Sequence, residues 1–241
     1  MSAPFLQVEA VTRRFGGLTA VDNVSFDLAP GELVSVIGPN GAGKTTLFNL
    51  LTGQLAPSSG RVAFEGRDIG RLPPQARARL GLGRTFQISQ TLTSLTVLEN
   101  AMVGAFLRHR RLGDAAERAY VALTLVGLDR RASDRAGSLT LSERRKLEVA
   151  RALALEPRIV LLDEVMAGLN PTEIREVTDL VQMLNGQGNT FLVIEHNLKV
   201  VRAFARRVIV LDRGATLAEG TAEEVLANPA VVSAYVGRRR A

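Results

Sequence analysis

"GPNGAGKTTL", Gly38 to Leu47, follows the apolar run "ELVSVI" (Glu32 to Ile37), opens a helical pattern, and carries almost no side chain able to do chemistry before its lysine. Gly38-Pro39-Asn40-Gly41-Ala42-Gly43-Lys44-Thr45 matches the G-x-x-x-x-G-K-[ST] pattern residue for residue. Glycines let backbone N–H groups converge on phosphate oxygens, and the helix that follows adds the positive end of its dipole. Lys44 is then placed to neutralise the β and γ phosphates of a nucleotide, the Thr45 hydroxyl to ligate Mg²⁺, and Thr46 to extend the cradle into the helix. A glycine-rich turn without a ligand is the plain alternative, and the strand before and helix after argue against it.

Outward from this turn, apolar runs recur at "LQVEAVTRRF", "RVAFEG", "RIVLLDE", "NTFLVIEHN" and "RVIVLDRG". Several are continuous, the pattern of strands buried on both faces. Helical patterns lie between them at Thr45 to Thr52, much of Val97 to Leu128, Ser142 to Leu155 and Thr172 to Asn185. Strands alternating with helices predict an α/β fold with a parallel sheet wrapped on both faces. From about residue 89 to 150 the pattern is mostly helical, which predicts a helical subdomain inserted in a core made of residues 1–88 and 151–241, the whole forming one domain. "TAEE" places a capping box at Thr221 and Glu224, and Asn228-Pro229 breaks or restarts the helix that follows.

"RIVLLDE" ends an apolar strand in two adjacent acids, so Asp163 and Glu164 point in different directions at a carboxyl end, where open α/β sheets bind ligands. Asp163 is expected in a magnesium shell and Glu164 beside a water that it orients or deprotonates. Two acids capping a surface loop is the plain alternative.

Composition narrows the classes. With 46% hydrophobic and 22% charged residues in 241, the chain has the make-up of a globular protein. Zero cysteines remove disulfides, thiolate metal sites and cysteine nucleophiles, and two histidines exclude a His-rich metal site. No run approaches the length of a membrane span, and "MSAPFLQVEA" lacks the layout of a secretory signal, so a cytosolic chain is expected. The net charge of +6 comes from small arginine groups, which suit nucleic acid, anionic lipid headgroups or solubility alone, and no aromatics are interleaved among them to stack bases.

These motifs, in this order, resemble the nucleotide-binding subunits of ABC transporters over about residues 5–237. The resemblance implies a P-loop NTPase (RecA-like) core with an N-terminal antiparallel β subdomain, and ATP with Mg²⁺ as ligands. It implies that Phe15 in "RRFGG" lies against the adenine, that Gln87 in "RTFQ" touches Mg²⁺, and that Glu164 is the catalytic carboxylate. It also implies that "AGLN" (Ala167 to Asn170) crosses to a second protomer, with Asn170 replacing an aspartate, and that His196 in "VIEHN" contacts the γ-phosphate. A lone histidine at a strand end is more often structural; only this series points to function.

The departure lies at "LTLSERRKLEVARAL". The family opens this helix with a pattern like L-S-G-G-Q, whose backbone amides grip the γ-phosphate held by the opposite protomer. Leu139-Thr140-Leu141-Ser142-Glu143 is the matching register and contains no glycine. Thr140, Ser142 and Glu143 are the trans contacts this register implies. Thr140 keeps a hydroxyl, Ser142 adds a Cβ, and Glu143 brings a carboxylate near an anion. Thr140 and Glu143 also read as an ordinary capping box. Val165 replaces the family's proline after the catalytic glutamate.

The resemblance further implies a homodimer, or a heterodimer with a second cassette, docked on integral membrane permease subunits at the inner face of the cell membrane. A periplasmic or lipoprotein substrate-binding protein is an indirect partner, and no nucleic acid is expected. "RTFQ", "TVLENAMVGAF", "AGLNPTE", "IEHNLKVV" and "NPAVVSAYVG" are most similar to the ATPases of branched-chain amino acid uptake and of urea or short-amide uptake. The alternatives are a lipopolysaccharide-export ATPase, a soluble ABC ATPase acting on nucleic acid or the ribosome, and a nucleotide sensor with crippled turnover.

Overall fold

Continuous apolar runs form strands and amphipathic runs form helices in the computed structural model, which describes residues 4–85 and 91–236. In chain order these are β1 (Leu6–Phe15), β2 (Leu18–Leu28), β3 (Leu33–Ile37), α1 (Lys44–Thr52), β4 (Ser59–Phe64), β5 (Arg67–Asp68), α2 (Pro74–Leu80) and β6 (Leu82–Arg84). Then follow α3 (Val97–Ala105), α4 (Leu112–Leu125), α5 (Leu141–Leu153), β7 (Ile159–Asp163), α6 (Pro171–Gly186) and β8 (Thr190–Ile194). The chain closes with α7 (Leu198–Phe204), β9 (Arg207–Asp212), β10 (Ala215–Gly220), α8 (Ala222–Ala227) and α9 (Pro229–Val236).

Two compact units result, Met1–Arg77 with Asn185–Ala241, and Ala78–Leu184. The first holds an antiparallel sheet in the order β2-β1-β4-β5 and a set in the order β10-β9-β3-β8, with β3 parallel to both β8 and β9. The second pairs β6 with β7 in parallel and packs α3, α4 and α5 together. Every residue of β3, β7 and β8 is buried, as their unbroken apolar runs require. The single helical pattern from Val97 to Leu128 is two helices, separated by the exposed arginine-bearing turn between Ala105 and Leu112. Both anticipated capping boxes form, at Thr140 with Glu143 and at Thr221 with Glu224, and a third forms at Thr96 with Glu99.

Helix α1 shows how the first unit fixes one end of its site. Leu47, Phe48, Leu50 and Leu51 are fully buried, each contributing roughly 1.5–3 kcal/mol of apolar burial. The last carbonyls of a helix lack intrahelical donors and carry its negative pole. Arg77, 1% exposed, fills that role. Its Nη1 donates to the Leu50 and Leu51 carbonyls at the end of α1, its Nε to Leu72 O at 2.9 Å and its Nη2 to Gly70 O at 3.0 Å. Burial pulls its pKa down to about 10, against Asp68, which raises it, so the guanidinium stays charged at neutral pH. Arg77→Met removes the donor and leaves buried carbonyls unsatisfied. Urea unfolding is expected to show a loss of about 3 kcal/mol. Arg77→Lys recovers only part, since an ammonium cannot reach four carbonyls in a fork.

Candidate functional site

In the first unit, β3 delivers the chain to the phosphate loop and α1 carries it away. Gly38 has φ 153° and Gly43 φ 100°, and a Cβ at either would stand 2.2 Å from Leu211 O or 2.4 Å from Ala20 O. Only glycine permits this path. The loop is further pinned by Ala42 N donating to Pro39 O (3.1 Å) and by Gly214 N donating to Ala42 O (3.0 Å). Helix α1 begins at Gly43 with no side-chain cap and no acidic residue in its first turn, so its positive pole is not neutralised from within. Lys44 is 6% exposed and its Nζ donates to Gly38 O (2.7 Å) and Pro39 O (3.1 Å), which curls the loop around a buried ammonium. A cation, a helix start and a turn of backbone amides form an anion cradle.

Neighbouring elements of the same unit carry two more anticipated residues, and the register places His196 at this end of the strands. Val36 pairs with Ile194 in the parallel register of β3 and β8, and Glu195 N donates to Val36 O. His196, exposed, therefore leaves β8 beside the point where β3 enters the loop. Asn197 caps α7 through Lys199 N. Phe15 ends β1 with its ring 43% exposed, and the Arg13 guanidinium lies 4.6 Å from the ring centroid. Tyr235, on α9, was not anticipated. Burial pushes its phenol up to about 12, the Gly38 backbone amide opposing that shift.

In the second unit, β7 ends in the two acids and they diverge as expected. Asp163 is fully buried, while Glu164 is only half-buried and adopts φ 50°, a left-handed conformation that costs a non-glycine residue about 1–2 kcal/mol. The turn is closed by Ala167 N donating to Glu164 O at 3.0 Å. Arg84 and Thr85, from the same "RTFQ" stretch as Gln87, hold Asp163. Arg84 Nη2 meets Asp163 Oδ2 at 2.9 Å with both side chains buried, and Asp163 N donates to Thr85 Oγ1 at 3.1 Å. Gln87 itself lies outside the described residues. Asn170 caps α6, its Oδ1 accepting from Thr172 N (2.9 Å) and Glu173 N (3.1 Å), a task an aspartate performs equally well.

The glycine-free stretch has a defined geometry in the same unit. Thr140 and Leu141 are exposed, Ser142 is 5% exposed, and Glu143 folds back. Its Oε2 accepts from Thr140 N at 2.8 Å and its Oε1 meets Arg131 Nη1 at 2.6 Å. Burial raises the Glu143 pKa, but the Thr140 amide and Arg131 outweigh it and hold the carboxyl below the usual range. The Ser142 Cβ thus packs inward instead of standing on the exposed end of the helix.

Residues 21–167 match the family described as ABC transporter. The chain belongs to the ABC transporter family. Residues 215–241 also match the family described as branched-chain amino acid ATP-binding cassette transporter. The cassette is 41% identical to the high-affinity branched-chain amino acid transport ATP-binding protein LivG of Salmonella typhimurium, over 98% of this chain and 99% of that one. It is 40% identical to the BraF protein of Pseudomonas aeruginosa, again over 98% and 99%. Among solved structures, an ATP-binding cassette in its ADP conformation superposes with a TM-score of 0.90 at 33% identity, covering 98% of this chain and 100% of that one. A dimeric cassette bound to ADP and phosphate superposes with a TM-score of 0.80 at 27% identity, over 90% and 98%. The cassette is accordingly an ATP-binding, ATP-hydrolysing subunit with an ABC ATPase fold. No helix of the described residues is long and apolar enough to cross a membrane.

Arg77, Arg84, Thr85, Arg131 and Tyr235 escaped the sequence reading. Arg84 and Thr85 had a signal, adjacency to Gln87 within "RTFQ"; the other three had none.

Proposed function

We propose that this cassette powers the uptake of branched-chain amino acids through separate membrane permeases, and that two copies clamp Mg²⁺-bound ATP between them. The carrying observation is the match of residues 215–241 to the branched-chain amino acid cassettes, joined to alignment with LivG along 98% of the chain.

The residues fit a nucleotide and a hard cation. Mg²⁺ takes one or two protein oxygens together with substrate phosphates and waters. Thr45 and Asp163 supply the hydroxyl and carboxylate oxygens that suit Mg²⁺, and Gln87 is the third candidate. The ion, when bound, neutralises charge on the β and γ phosphates. Lys44 and the amides of Gly38 to Thr46 bind and orient the triphosphate, and Phe15 offers a ring face for the adenine. Glu164 accepts a proton from the water whose oxygen attacks the γ phosphorus, while His196 contacts the γ-phosphate. The Pγ–O bond to ADP breaks, and ADP and phosphate leave. ATP closes the pair only by as much as it favours the closed arrangement over the open one, and cleavage removes that bias.

Co-expression with branched-chain amino acid permease subunits, reconstitution in vesicles and addition of a branched-chain amino acid binding protein tests the cargo. Phosphate release is expected to rise several-fold with leucine, isoleucine or valine and to stay at the basal rate with urea or short amides. Stimulation by urea or by a lipopolysaccharide alone would overturn the assignment.

A further inference from the structure

The carboxylate that replaces a neutral side chain at the start of α5 is bound on all sides by its own unit. Arg131, in the short turn before the helix, makes three contacts: Nη1 to Glu143 Oε1 at 2.6 Å, Nε to Asp134 Oδ2 at 2.8 Å and Nη2 to Ser138 Oγ at 3.2 Å. Arg144 braces the same approach, its Nε donating to Leu139 O and its Nη2 to Gly137 O, each at 3.0 Å. Two guanidiniums therefore balance two carboxylates, Asp134 and Glu143, around the helix start. Ser142 adds a buried hydroxyl without a hydrogen-bond partner among the described residues. A lone carboxylate in the first turn would repel an incoming anion from the amides that the helix start offers. One held in the capping box and paired with a guanidinium repels it far less.

We propose that Arg131 is a positioning residue for the ATPase reaction: by fixing and neutralising Glu143, it lets the exposed start of α5, at Thr140 and Leu141, receive the terminal phosphate of ATP held by a second copy of this chain. The proposal rests on the clamped-dimer reading above. It explains how a signature without glycine stays usable, because the Ser142 side chain is turned inward and the Glu143 charge is compensated.

The test compares Arg131→Gln and Arg131→Gln/Glu143→Gln in the full chain carrying Glu164→Gln, which holds ATP uncleaved. Sedimentation velocity reads the ATP concentration for half-maximal dimer, and a fluorescent ATP analogue reads affinity of each monomer for nucleotide. Arg131→Gln is expected to need at least tenfold more ATP to dimerise, with monomer affinity unchanged within twofold. The double variant should return to within threefold of the parent, because a neutral side chain at position 143 needs no counter-ion. A merely structural arginine would not be rescued by removing the charge it faces. Dimerisation of Arg131→Gln at the parent's ATP concentration, or failure of the double variant to recover, overturns the proposal. If the parent itself stays monomeric with ATP and Mg²⁺, the clamped-dimer reading fails and this proposal with it. Should Arg131→Gln lose its helical circular dichroism, Arg131→Lys is read instead: a charge held in place predicts dimerisation within threefold of the parent, and a tenfold loss overturns the proposal.

Discussion

Glu164→Gln is expected to lower steady-state phosphate release by about 10²–10⁴-fold, the range contributed by a positioned general base, while leaving ATP affinity intact. The substitution is well suited to isolate chemistry from structure. Glu164 sits at φ 50° after the buried end of β7, so its backbone is already in a strained region that glutamine occupies at comparable energy. Size and polarity are kept, and only the proton acceptor is lost. The turn closed by the Glu164 carbonyl and Ala167 N does not involve the side chain and should persist. Hydrolysis limits the life of the clamped pair under the proposed cycle, so the same variant should accumulate as an ATP-bound dimer in size-exclusion chromatography. Two readouts then move together, turnover down and dimer up. A variant that keeps more than a tenth of the parent's rate would remove Glu164 from the role of base. One that loses turnover yet remains monomeric with ATP would retain the base and remove the clamp.

The sequence revealed those parts of this molecule whose stabilisation is local or periodic. Runs buried on both faces, such as "LVSVI", "IVLLD" and "TFLVI", announce β3, β7 and β8 because nothing but a central strand hides five consecutive residues in a short segment. The capping boxes at Thr140 and Thr221 were legible because both partners lie within one turn. Strand β2 was hidden because Asp22, Asn23, Ser25 and Asp27 interrupt its apolar residues on the open face of an antiparallel sheet. Strand β6 is three residues long and exists through its pairing with β7, a long-range contact that no local pattern encodes. The same limit applies to the candidate site. The phosphate loop and the two acids are contiguous motifs and were read residue by residue, whereas the arginines that hold them look like any other basic residue in the sequence. Arg84 meets Asp163 from 79 positions away, and Arg77 meets the end of α1 from 26 and 27. The charge on Glu143 looked like a defect until its partner, 12 positions earlier, was known.

Arg84→Met is expected to destabilise the fold by about 3–5 kcal/mol, the usual result of removing one partner of a buried ion pair. The pair qualifies: the side chains are 8% and 1% exposed and the Nη2 to Oδ2 distance is 2.9 Å. Asp163 is fully buried, so deleting the guanidinium leaves the burial cost of the carboxylate in place and removes the ion pair that offsets part of it. Arg84→Met/Asp163→Asn should recover much of the loss in a denaturation curve, because the second change removes the charge that the guanidinium faced. The two changes should thus be strongly non-additive. A consequence for the reaction follows from the proposed place of Asp163 in the metal shell. In the parent, Arg84 and Mg²⁺ draw on the same carboxylate; in Arg84→Met the metal has no such competitor. Binding of Mg²⁺ with nucleotide should then raise the melting temperature of Arg84→Met by more than it raises the parent's, since ligand stabilisation grows with the logarithm of affinity for the native state. Equal shifts in the two proteins would mean that Arg84 and the metal do not share Asp163, and would confine the ion pair to a structural role.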